Sequence, residues 1–238
     1  MKNSAVFLVL FLLSIGFSSC EKVKGKGDVV SQTRTVTGYT AINLGIDAII
    51  YFTTDSSYYL EVRAQQNILD VLETTMGSGN VLKINYRKGV LVGKHEPITI
   101  FIAAPDVREF DISGSGDIFI NNPLLTHYVS MNISGSGNIS AFQVETHELD
   151  VTISGSGNVS VNTGQASIER LKISGSGNID VVGVESDSSF VTISGSGNAS
   201  VWASKLLDIT ISGSGNVYYT GTPTIYTHIS GSGSVVRL

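Results

Sequence analysis

Apolar and polar residues alternate with a period of two along most of the chain from Ile42 onward, as expected of strands with one buried face. A recurring string organises the alternation. Ile-Ser-Gly-Ser-Gly begins at Ile112, Ile133, Ile153, Ile173, Ile193, Ile211 and Ile229, at spacings of 21, 20, 20, 20, 18 and 18 residues. Two residues before these isoleucines stand Phe110, Met131, Val151, Leu171, Val191, Ile209 and Thr227; six residues after them stand Ile118, Ile139, Val159, Ile179, Ala199, Val217 and Val235. The positions between are mostly Ser, Thr, Asn or charged. Each repeat therefore reads as two strands joined through a Ser-Gly-Ser-Gly corner.

A unit of 18 to 21 residues cannot bury its own apolar face, but stacked units lay Ile on Ile and Gly on Gly. The fold class predicted is all-β: a single-stranded, right-handed parallel β-helix, or β-solenoid. Eight or nine coils at about 4.8 Å each would make a prism about 40 Å long. A single motif per coil, with variable lengths between, sets it apart from left-handed hexapeptide solenoids, and a propeller blade needs about 40 residues, twice this period. The corner residues are Gly114 and Gly116, then Gly135, Gly137 and Asn138, Gly155, Gly157 and Asn158, Gly175, Gly177 and Asn178, Gly195, Gly197 and Asn198, and Gly213, Gly215 and Asn216. Glycine there supplies positive φ or room for close approach, and Asn tolerates the left-handed region. Asp117 takes the Asn place in the first copy and Ser234 in the last. An eroded copy, Met76 to Val81, starts 36 residues before the first full one, about two periods.

Residues 34–238 form one solenoid domain on this reading, with irregular β-rich coils over 34–106 and regular repeats over 107–238. In the first part Ile42, Leu44 and Ile46, Tyr58, Leu60 and Val62, Leu82, Ile84 and Tyr86, and Ile98, Ile100 and Ile102 alternate, and 67–73 suits a short helical turn. Residues 1–19 read as a signal peptide: Lys2, an apolar run from Ala5 to Leu13, then small residues before Cys20. That run is shorter than the roughly 20 residues a membrane-spanning helix needs. The segment resembles a bacterial lipobox, which implies acylation of Cys20, palmitate included, and an outer-membrane lipid anchor followed by a flexible tether over 20–33.

Fifteen basic against 20 acidic residues give a net charge of −5, which leaves no basic field for a phosphate backbone and excludes nucleic acid as a partner. One cysteine makes no internal disulfide, and no Cys or His cluster has zinc-site spacing. No glycine-rich copy continues into the Lys-Ser/Thr of a phosphate loop. His127 and His147 both lie six residues before an isoleucine and should stack on adjacent coils, where they pose the question of a shared metal. Solenoid enzymes need clustered carboxylates; Asp150 and Asp208 share a register position but stand three coils apart, about 14 Å. No catalytic, metal or cofactor residue is assigned. Phe119, Phe190 and Trp202 are candidate sugar-stacking rings.

Seven copies of Ser-Gly-Ser-Gly, six closed by Asn or Asp, behind a β-rich segment and a lipoprotein signal, resemble the head GIN domain autotransporter adhesins common in Bacteroidetes, over about residues 34–238. The resemblance implies a β-helical cell-envelope protein, a non-enzymatic adhesin whose partners are the membrane through Cys20 and a glycan or protein surface. A polysaccharide lyase or hydrolase and a structural spacer are the alternatives.

Overall fold

The computed structural model describes residues 21–238, so the signal peptide read at 1–19 and the acylation site Cys20 lie outside the described residues. Strands β1 (Glu21–Val23), β2 (Val29–Thr33), β3 (Ala41–Leu44), β4 (Ile49–Thr54) and β5 (Tyr59–Gln65) lead to one turn of helix, α1 (Gln66–Leu69). Then come β6 (Leu72–Met76), β7 (Val81–Tyr86), β8 (Val90–Val92) and β9 (Thr99–Ala104). The repeats open with β10 (Glu109–Ile112), β11 (Asp117–Ile120), β12 (Leu124–Leu125) and β13 (Tyr128–Ile133). They continue in four long strands, β14 (Asn138–Ile153), β15 (Asn158–Ile173), β16 (Asn178–Ile193) and β17 (Ala199–Ile211), and close with β18 (Val217–Thr220), β19 (Thr224–Ile229) and β20 (Val235–Arg237).

Each repeat strand pairs in parallel with its counterpart one period away, giving a β-solenoid of about six turns. Ile112 pairs with Ile133, Ile133 with Ile153, Ile153 with Ile173, Ile173 with Ile193, Ile193 with Ile211 and Ile211 with Ile229. The first six isoleucines are at most 1% exposed, whereas Ile229 on the last layer is 40% exposed. One continuous core runs from Tyr39 to Val217. The layers form because successive apolar residues of one ladder cover each other, and removing that surface from water is the main driving force.

The eight or nine expected coils resolve into the six turns plus two lower layers laid down out of chain order. β3 and β4 pair with β10 and β11 on one side and with β7 and β9 on the other. Below these the sheet turns antiparallel: β5 pairs with β9, β2 with β5, and β6 with β7. Strands of reversed direction finish this end of the stack and cover its lowest layer. Residues 21–33, expected to belong to a free tether, are instead tied into the fold. β1 pairs with β8 and β2 with β5, while Gln65 donates to the Gly27 carbonyl and Asn67 to that of Lys24. The segment is hard to read as strand from its residues because almost all its side chains are exposed. The eroded copy is not a corner either. Gly77 N–H donates to the Val81 carbonyl, and Gly79 and Asn80 have φ of 75° and 58°, so it is the hairpin turn between β6 and β7.

Positive φ plays no part at the true corners, where only Gly231 shows it. The glycines are there for close approach. A Cβ on Gly155 would stand 1.9 Å from the Gly135 carbonyl oxygen, and one on Gly175 2.0 Å from that of Gly155. The asparagines build a ladder rather than a left-handed turn. Asn158 donates its backbone N–H and its Nδ2 to Oδ1 of Asn138, Asn178 does the same to Asn158, and the series continues through Asn198 and Asn216. This explains both departures from the motif. Asp117, at the bottom, only has to accept, from Asn138; Ser234, at the top, only has to donate, to Asn216.

Candidate ligand-binding cleft

Outward side chains of β13 to β16 line a cleft of about 560 Å³. Parallel register builds it. Ser130, Asp150, Arg170 and Phe190 succeed one another across four layers, and beside them run Asn132, Thr152, Lys172 and Thr192. Rigid ladder positions hold such groups more accurately than loops do. Tyr128 Oη donates to Asp150 Oδ2 at 3.2 Å. Arg170 Nε donates to Glu148 Oε1 at 2.6 Å, and its guanidinium carbon lies 5.3 Å from the centre of the Phe190 ring. Burial pushes the Asp150 carboxyl above its ordinary range, against the opposing hydrogen bond from Tyr128, and burial likewise raises the Tyr128 hydroxyl.

Among the described residues, the Nη groups of Arg170 and the Nζ of Lys172 have no protein partner. The cleft thus offers free donors, hydroxyls, an acceptor carboxylate and two rings, with Glu148 and Asp150 balancing Arg170 and Lys172 in charge. That mixture suits a polyhydroxylated, uncharged ligand better than an anion.

A second cleft, of about 400 Å³, is lined by Tyr51, Thr53, Tyr59, Phe101 and Asn121. Its rings spend their faces on one another. Tyr51 stacks on Phe101 at 5.6 Å and on Phe119 at 5.5 Å, each at 20°, and Arg63 covers Phe101 at 4.5 Å. Phe119 is therefore part of a structural stack. Phe190 belongs to the first cleft, and Trp202 is 37% exposed outside it.

His127 and His147 stack as the register requires, 4.8 Å apart and 5° from parallel. Face-to-face rings aim their lone pairs alongside each other rather than at one point, and among the described residues no three His, Cys, Asp or Glu side chains gather around a cation site. Asp150 and Asp208 stand three layers apart. The sequence reading missed Tyr128, Arg170 and Lys172, although the 20-residue repeat puts Arg170 level with Asp150.

The family described as "Putative auto-transporter adhesin, head GIN domain" matches residues 38–223. A crystal structure called a "putative adhesin", from Bacteroides fragilis, is 24% identical and superposes with a TM-score of 0.85, covering 91% of this chain and 100% of its own. One called a "Putative lipid binding protein", from Parabacteroides distasonis, is 25% identical, with a TM-score of 0.75 and coverage of 92% and 100%. A third, a "putative adhesin" from Parabacteroides merdae, is 23% identical, with a TM-score of 0.72 and coverage of 92% and 99%. No curated protein matches the chain. No helix among the described residues is long and apolar enough to cross a membrane.

Proposed function

The chain belongs to the head GIN domain adhesin family, and from that premise we infer that it is a non-enzymatic cell-surface adhesin that holds glycans in the cleft of Tyr128, Asp150, Arg170, Lys172 and Phe190. One observation carries the reading: three consecutive turns deliver an aromatic ring, a guanidinium with unused donors and a half-buried carboxylate into one cleft on rigid strands. Sugars are recognised by such groups, with ring faces against C–H bonds and planar polar groups against hydroxyls. Glu148 accepts from Arg170 at 2.6 Å, while Asp150 accepts from Tyr128 through Oδ2 and keeps Oδ1 without a hydrogen-bond partner. The lipobox-like end supports an outer-membrane anchor at Cys20. An apolar ligand, as the name of the P. distasonis relative suggests, would leave the charged and hydroxyl groups that line this cleft, among them Asp150, Arg170, Lys172 and Thr192, without partners.

The test is a glycan array and a polysaccharide panel run with wild type, Arg170→Ala and Phe190→Ala. Glycans bound intact by wild type and at least tenfold more weakly by both variants support the reading. Equal binding by the variants, or new reducing ends, contradict it. For the anchor, labelled palmitate should enter wild type and not Cys20→Ser.

A further inference from the structure

The inner face of β15 and β16, directly behind the cleft, interrupts the apolar core. Val129, Leu149, Glu169, Ser189 and Leu207 form one inward ladder. All five are fully buried, so a carboxyl and a hydroxyl occupy two successive layers of a hydrocarbon column. Ser186, 1% exposed, joins them from the neighbouring ladder. Glu169 and Ser189 immediately precede Arg170 and Phe190, whose side chains point the other way into the cleft.

The contacts among these groups fix a proton count. Glu169 Oε2 and Ser189 Oγ are 2.5 Å apart, Ser189 Oγ and Ser186 Oγ 2.8 Å, and Ser186 Oγ lies 3.0 Å from the Trp202 carbonyl oxygen. Three hydrogen bonds need three hydrogens, and the two serines supply two. Ser186 has to donate to the carbonyl, which has no hydrogen of its own, and Ser189 then donates to Ser186. The third hydrogen belongs to Glu169, whose carboxyl O–H donates to Ser189. With an ionised carboxylate, Ser189 would turn to Glu169 and the Ser186–Ser189 contact would be left without a hydrogen. Oε1 of Glu169 has no partner, which a neutral carbonyl oxygen tolerates and a buried anion does not.

This chain of bonds crosses from β15 through β16 to β17 where the stack is least regular. The register between β16 and β17 shifts at Asp180/Glu185 and again at Ser186/Ser188, as the coil shortens. Charged groups on the surrounding strands lie on the outer surface: Arg170 and Lys172 on β15, Glu145, Glu148 and Asp150 on β14, Asp180, Glu185 and Asp187 on β16, and Lys205 and Asp208 on β17. None contributes to the Glu169 environment, where burial pushes the carboxyl up to about 8 against smaller opposing effects of Ser189 and Ser186.

We propose that protonated Glu169 is a positioning residue that staples the three turns behind the cleft through Ser189, Ser186 and the Trp202 carbonyl, and that loss of its proton loosens the strands carrying Arg170 and Phe190. The consequence for binding rests on the reading of the cleft as the glycan site; the test does not. Carbon-detected NMR of protein carrying ¹³C-labelled glutamate follows the carboxyl between pH 5 and 10, alongside amide exchange over 186–191 and fluorescence of Trp202, the chain's one tryptophan. The carboxyl is expected to be neutral at pH 7, and protection of 186–191, corrected for the intrinsic, roughly tenfold rise of exchange per pH unit, to fall at least tenfold as it titrates, with a matching change in Trp202 emission. Glu169→Gln, whose amide can donate to Ser189 without a charge, should keep its low-pH protection at 186–191 at every pH, once rates are corrected for the intrinsic pH dependence of amide exchange, and abolish the emission change. A wild-type carboxyl already ionised at pH 7, or the same pH profile of exchange in wild type and Glu169→Gln, overturns the proposal. Should the variant not fold, the wild-type titration decides alone. Because no glycan enters these measurements, failure of the glycan reading leaves their outcome unaffected.

Discussion

Replacing Gly155 with alanine tests how tightly the corners are stacked. The new Cβ would lie 1.9 Å from the Gly135 carbonyl oxygen, and ordinary contact begins at 3.4 Å. The neighbour is backbone and cannot swing away, so the two layers must part locally by about 1.5 Å, the difference between those distances. Ser156 N–H donates to Gly135 O at 3.1 Å and Ser154 N–H to Ile133 O at 2.8 Å; stretched by that much, both leave hydrogen-bonding range. Two unsatisfied groups at about 1–3 kcal/mol each, less the roughly 0.4–1 kcal/mol by which alanine restricts the unfolded chain, predict a loss of about 2–5 kcal/mol. Gly114→Ala provides a graded comparison. Its Cβ would meet Gly45 at 3.1 Å, a shift of a few tenths of an ångström, so the cost should stay near 1 kcal/mol or below. Ser156→Ala, at an exposed position, should be nearly neutral. Urea unfolding followed by circular dichroism measures all three. Equal midpoints for Gly155→Ala and Gly114→Ala would refute the close-packed corner.

Other expectations concern the ladder and the buried carboxyl. Asn158→Ala removes its own donation to Asn138 and the acceptor for Asn178, so about 1–3 kcal/mol should be lost in the same unfolding assay. Asp117→Asn keeps an acceptor for Asn138 and should change stability by less than about 0.5 kcal/mol. Glu169 binds its proton more tightly folded than unfolded, so its contribution is greatest below about 4.5, falls as pH rises, and levels off above about 8. At about 1.4 kcal/mol per pH unit the decline across that window is at most about 5 kcal/mol. Denaturant midpoints of wild type should fall with pH relative to those of Glu169→Gln; parallel curves would show that the carboxyl is not neutral when folded.

The repeat made the regular layers legible, because identical residues at a fixed period must stack and Ile, Gly and Asn each say how. Glu169 and Ser189 share the inward phase of Leu171, Ile173, Val191 and Ile193, but nothing in the local pattern overrides the usual expectation that a glutamate faces water, so the buried pair emerges only from the structure. The lower layers were harder to read. β3 and β4 lack the Ser-Gly-Ser-Gly corner, and nothing in local alternation tells a strand that its parallel neighbours lie 40 or more residues away, as Leu44 does from Ile84 and from Ile112. β1 and β2 are held by backbone pairing and by surface contacts such as Arg87 to Glu21 and Ser31 to Glu61, with little apolar signal. The cleft draws Tyr128, Asp150, Arg170 and Phe190 from successive turns, so no single repeat carries its signature.

Spacing between layers is the most direct test of the central claim that the repeats are successive turns of one column. Spin labels placed in a Cys20→Ser background at Ser134 and at one of Ser154, Ser174, Ser194 or Ser212, all exposed, allow each distance to be measured, the shorter ones by dipolar broadening of the continuous-wave spectrum and the longest by pulsed electron resonance. Stacked turns predict distances rising by about 4.8 Å for each added turn, reaching about 19 Å for Ser134 to Ser212. Distances that do not grow with repeat number would contradict the single column.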